Sequence, residues 1–145
     1  MSKRPIEFFF FDIIVALLKI EHVSNEFEHA DQLKHDFKSW DSIIREFEIV
    51  GEATKRLINA DLLDHDKRSI VNFRNHLVHE YFGIDEEEVW HIIHRHLPLF
   101  KEEIRKLIIG TDDLLRHQLT DAFMQENRHL EFVTTYLNII NKENT

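Results

Sequence analysis

From Pro5 onward, nearly every position of PIEFFFFDIIVALLKI is apolar. Pro5 suits the first turn of a helix, so this stretch predicts a helix from Pro5 to about His29. The four successive rings Phe8, Phe9, Phe10 and Phe11 wrap most of the way round it, so two surfaces should be covered. One is the chain's own core and the other a second subunit; the plainer alternative is a deeply central helix in a monomer. A second helix spans roughly Gln32–Ala60, with Trp40, Ile43, Ile44, Phe47, Val50, Leu57 and Ile58 near i, i+3, i+4 spacing. Gly51 sits inside it, where glycine costs about 1 kcal/mol against alanine and usually marks a close helix contact. A polar connector over Asp61–Lys67 precedes a third helix ending near Tyr81, and Gly83 is placed to be the left-handed residue after it. Asp85 followed by Glu88 forms a capping-box-like start for a fourth helix, which Pro98 should kink and Gly110 should stop. Thr111 then caps a fifth helix running to about Ile140. The result is an all-α bundle of about five helices, read as one domain over residues 1–145.

Composition sharpens this picture. Three glycines and two prolines in 145 residues leave little material for turns, in keeping with long helices. Cysteine is absent, which removes disulfides and thiolate chemistry and makes a reducing compartment the simpler assumption. The opening MSKRPIEFFFFDIIVALLKIEH has the outline of a signal peptide. Its apolar run is interrupted by Asp12, has no small-residue cleavage site, and falls short of the roughly 20 residues that cross a bilayer. It reads instead as a helix of a cytoplasmic protein without membrane contact. The formal net charge of −9 disfavours broad electrostatic binding to nucleic acid but leaves room for a small, locally positive site.

Candidate chemistry concentrates in FRNHLVHEYFGID, residues 73–85. Asn75 and His79 are i, i+4 neighbours, His76 and His79 are i, i+3, and the long side chain of Arg74 can sweep back toward the same cleft. Histidine titrates near neutrality and can move protons, while arginine presents a planar fork suited to phosphate. Cleavage of RNA without a metal needs a base for the 2′-OH, positive charge at the phosphate, and help for the leaving oxygen. One helix supplies about half of such a site, and two copies across a dimer axis would supply the rest. The plainer reading is a solvated helix end. His91, His94 and His96 invite a metal, but their spacing matches no standard zinc signature. They are read as solvated or interface histidines, and no metal or cofactor is expected.

RNHLVHEYFGID, preceded by FEIVGEATKRL at residues 47–57 and followed by VWHIIHRHLPLF at residues 89–100, resembles the HepT-like (DUF86) branch of the HEPN superfamily. The likeness covers residues 6–108. It implies a dimerising helical domain acting as a metal-independent endoribonuclease on RNA such as tRNA or mRNA. The toxin–antitoxin setting would be that of a HepT/MntA-like, type VII pair. Carried over by position, the arginine and histidine of the family's R-x4-6-H motif fall on Arg74 and His79, and the polar second residue on Asn75. Tyr81 matches the tyrosine that a minimal MntA-like nucleotidyltransferase antitoxin modifies with AMP, which would place bulk and negative charge where RNA phosphate must sit. Glu52 and Asp12 stand where acidic residues would orient Arg74, although Glu52 can equally pair with Lys55 or Arg56 along its own helix. His76 is a local helper or a bystander. The sequence departs from the family pattern in two places. DHDKRSIVNFRN lacks the proline–tryptophan pair that many relatives carry before the arginine, and residues 111–145 extend past the family's usual end. That extension has an apolar stripe, which would finish the bundle, widen a dimer surface or dock the antitoxin. A second functional class stays open, in which the same residues hold a nucleotide or RNA without cutting it while the nucleotidyltransferase does the chemistry.

Overall fold

The computed structural model describes residues 4–79 and 83–143, and among these every regular element is helical. In chain order they are α1 (Phe8–Ser24), α2 (Ala30–His35), α3 (Phe37–Asn59), a 3-10 turn (His65–Lys67), α4 (Arg68–His79), α5 (Glu86–His91), a π-helical turn (Ile92–His96), α6 (Leu97–Ile109), α7 (Asp113–Glu126) and α8 (Glu131–Asn141). The expected all-α bundle is present, but divided more finely than five helices.

Each division has a local cause. α1 stops at Ser24, five residues short of the expected end, where SNEFEH breaks the apolar run. The Gln32 side chain then accepts from the backbone N–H groups of Glu28 and His29 at 2.9 and 3.1 Å and opens α2. Asp36 adopts an extended backbone and accepts from the Ser39 N–H, which starts α3 afresh. The Asp-x-x-Ser spacing was readable as a start signal. Among the described non-glycine residues only Asp61, in the connector after α3, has positive φ. Asp112, not Thr111, caps α7, accepting from Leu115 N–H, while the Thr111 hydroxyl donates back to the Leu107 carbonyl at 2.9 Å. Asn127 turns its amide onto the Phe123 carbonyl at 2.9 Å and splits the expected fifth helix into α7 and α8. Pro98 lies in the first turn of α6, immediately after the π-helical turn. The wider turn accommodates the backbone break that a proline without an N–H imposes.

α1 is the axis of the fold. From Phe10 to Ile20 only Asp12 and Lys19 escape burial, and α3, α6, α7 and α8 all pack on this helix. The second cover expected from another subunit is supplied inside the chain. Phe8 and Phe11 lie against Phe123 of α7, with ring centroids 4.9 and 5.4 Å apart, and Arg56 of α3 sits over the Phe9 ring. Burial is non-directional, so an apolar face specifies that it is covered but not by what. α7 and α8 therefore finish the bundle. Buried Arg116 reinforces the junction by donating to the carbonyls of Ile109 and Thr111, both at 3.2 Å.

α4 is held chiefly by α3. Gly51, buried within α3, lies against α4 in close contact. A Cβ placed there would lie 2.3 Å from Cβ and 2.5 Å from Cγ of Arg74. The contact explains the glycine in an otherwise regular helix.

Two stability outcomes follow from this packing. Gly51→Ala should cost about 1–3 kcal/mol in urea denaturation, because its new methyl meets the stem of Arg74 rather than a flexible tip. Phe123→Ala should cost about 3–5 kcal/mol, the usual range for emptying an aromatic core site. A loss below 1 kcal/mol for Phe123→Ala would mean that something other than α7 covers the phenylalanine run of α1.

Candidate active site

Helix α4 has two sides. Val71 and Leu77 are buried and Ile70, Phe73 and Arg74 half-buried, whereas Asn72, Asn75, His76 and His79 are exposed. At 100° per residue those four polar side chains share one sector of the helix, with Asn75 and His79 about 40° apart. Val78, 41% exposed, borders the sector. His79 is the last residue of this face among the described residues, and Tyr81 lies outside them.

Arg74 leaves the helix on the side facing α3, but its guanidinium does not stay there. Nη1 donates to Oδ1 of Asn75 at 2.9 Å, and Nη2 lies 3.4 Å from the Glu52 carboxylate. The stem passes over Gly51 and the head turns back toward the edge of the polar face. Nε is buried with no hydrogen-bond partner among the described residues. Glu52 is half-exposed, so the pair contributes little to stability, within about 0–1 kcal/mol. It acts instead by aiming a long, otherwise mobile side chain. Of the alternatives open for Glu52, the contact made is across helices to Arg74, not along α3 to Lys55 or Arg56.

The other residues singled out by sequence fall elsewhere. Asp12 on α1 has Arg4 and Lys19 as its nearby cations rather than Arg74, and burial raises its carboxyl above the usual value. Glu46 on α3 shares this setting, raised first by burial and additionally by the charge of Asp12. These two acids form their own small cluster on the α1–α3 face. His76 points from α4 into a groove bordered by α6 and the π-helical turn. His91 and His96 are brought ring to ring at 5.3 Å by the wider turn, and His94 bonds the Trp90 carbonyl through Nδ1 at 2.9 Å. No group of three or more metal-ligating side chains that could hold an ion is found among the described residues. No helix there is long and apolar enough to cross a membrane.

Sequence reading marked Gly51 as a close helix contact and Glu52 as an acid able to orient Arg74, but did not identify the Arg74 stem as what crosses the glycine. In the motif GEA the glycine admits the Arg74 stem and the following acid receives its head. A glycine in mid-helix followed by a carboxylate was the available signal.

Comparison with known proteins identifies the family. The family described as "Ribonuclease HepT-like" matches residues 13–107, which contain α1 from Ile13, α2 to α5 and nearly all of α6. A protein of Methanocaldococcus jannaschii named as a candidate RNase is 31% identical over 108 residues, covering 72% of this chain and 97% of the relative. A second protein of that organism, named likewise, is 30% identical over 111 residues, covering 74% and 91%. A protein of Thermococcus cleftensis named as a candidate ribonuclease HepT is 32% identical over 108 residues, again covering 72% and 97%. No solved structure matches the chain. α7 and α8 lie beyond the family match, although they complete the packing around α1. With the HepT-like family matching residues 13–107 and relatives 30–32% identical over nearly their whole length, the chain belongs to the HepT-like ribonuclease family.

Proposed function

We propose that the protein is a metal-independent endoribonuclease whose working residues are Arg74, Asn75 and His79. It acts as the toxin of a toxin–antitoxin pair and is silenced by AMP addition to Tyr81. The observation that carries the reading is the geometry at Arg74. A guanidinium half-buried at its stem is turned by Glu52 and Asn75 toward the exposed face that bears His79. In this role Arg74 binds the scissile phosphate and stabilises charge on its oxygens in the transition state. His79 takes the proton of the 2′-OH, or gives one to the departing 5′-oxygen. Asn75 keeps the guanidinium aimed.

Each α4 presents a single Arg74–His79 pair, and the His79 imidazole alone cannot be base and acid in the same step. The polar face of α4 is uncovered, so a second copy apposed there would provide the other imidazole. It would also double the positive charge at a point on a chain whose net charge is −9. Glu52 tempers Arg74 in the free protein, and RNA phosphate competes with that carboxylate for the same N–H groups. The antitoxin of this proposal is a minimal nucleotidyltransferase. Its AMP group, two residues beyond His79, brings a competing phosphate to the site.

Purified protein should cleave RNA in the presence of EDTA. His79→Ala and Arg74→Ala should each lower the rate by about a hundredfold or more, with helicity and self-association retained. Normal cleavage by either variant refutes the assignment, and a wild type that binds RNA without cutting it supports a non-catalytic binding module instead. For regulation, mass spectrometry after incubation with the nucleotidyltransferase and ATP should show mass added in AMP units. The addition should disappear in Tyr81→Phe; persistent labelling of that variant moves the modified residue elsewhere.

A further inference from the structure

Beside the proposed catalytic face lies a groove of about 690 Å3, enclosed by α4, the 3-10 turn, the π-helical turn and α6. Its size falls in the range of about 300–1,000 Å3 typical of small-molecule sites. The floor is aromatic and aliphatic. Phe47 and Phe73 meet edge to face at 5.2 Å, joined by Ile92 and Phe100. The rim is polar, with Asn72 and His76 from α4, Glu88 from α5 and His96 from the π-helical turn. At the far end Lys67 lies between Asp66 and Glu103, at 3.3 and 3.4 Å.

We infer that this groove is a nucleobase pocket, which seats the base next to the scissile phosphate and favours bases carrying an exocyclic amino group. The inference rests on the ribonuclease reading for its placement, but its chemistry is independent. Three carboxylates line the groove against one ammonium, and that ammonium is already shared by two of them. A phosphate would be repelled here. A flat, uncharged ring would not, since it can lie on the phenylalanine floor, and stacking on such surfaces is a general means of holding single-stranded bases. Glu88 has no ion-pair partner among the described residues and is exposed at the rim, so its oxygens are available to accept N–H bonds. Adenine and cytosine offer an amino group for this, whereas uracil presents carbonyl oxygens at the equivalent positions. The location fits one nucleotide. His76 precedes His79 by three residues, about 4.5 Å along the axis and 60° round it, so a phosphate at His79 leaves its base over His76 and the groove.

The test uses wild-type protein and free nucleosides, which have no phosphate and cannot be cleaved. Titration with adenosine, cytidine and uridine, followed by the backbone amide resonances of Phe73, His76 and Ile92, should give saturable shifts for the first two. Uridine should bind about five- to tenfold more weakly. Glu88→Gln, an exposed change, should bring the three nucleosides close together, and Asn72→Ala serves as a second rim variant should the first disturb α5. Absence of shifts at these residues overturns the pocket. Equal binding of all three by the wild type, or unchanged discrimination in both variants, overturns the amino-group preference. His79→Ala should abolish cleavage while leaving nucleoside binding as it was. Nucleoside binding by a wild type that cuts no RNA would refute the nuclease and leave the pocket standing.

Discussion

The contact of Gly51 with the stem of Arg74 is the constraint on which the site depends. Two helices can approach this closely only if one carries no side chain at the crossing, and the other then lays an arginine across the gap. Any larger residue at 51 would push α4 away from α3 and carry the guanidinium with it. Because Glu52 follows Gly51, the residue that makes room and the residue that receives the head are adjacent in the chain. The arrangement has a cost. The Arg74 Nε–H is buried without a partner among the described residues, and such a group typically costs about 1–3 kcal/mol.

The second organising fact is that α1 is apolar on nearly all sides, Asp12 and Lys19 excepted. Such a helix needs neighbours all round, and α3, α6, α7 and α8 provide them. The last two fall outside the family match, so this chain covers part of its axis with helices the family match does not include. Since α7 takes up the phenylalanine face, the uncovered polar side of α4 becomes the place where a second copy could complete the proposed chemistry.

Much of this was legible beforehand for reasons that can be named. The stripe through Ile43, Phe47, Val50 and Leu57 has helical spacing, and all four residues are buried. Asn75 and His79 were placed on one face by their separation alone, and both are exposed there. Breaks were harder to read. Asp36, Asp112 and Asn127 end or start helices through single side-chain bonds to the backbone, and such residues also occur inside helices without doing so.

Helix-forming composition, periodic burial and the arginine–asparagine–histidine spacing on α4 were properties of the chain by itself, because each depends only on residues within a few turns of one another. The tertiary structure decided the rest. It chose Phe123 rather than another subunit to cover α1, Glu52 rather than Asp12 to meet Arg74, and the groove beyond His76. In each case several partners could satisfy the same apolar face or the same charge, and only the crossing of distant helices selects among them.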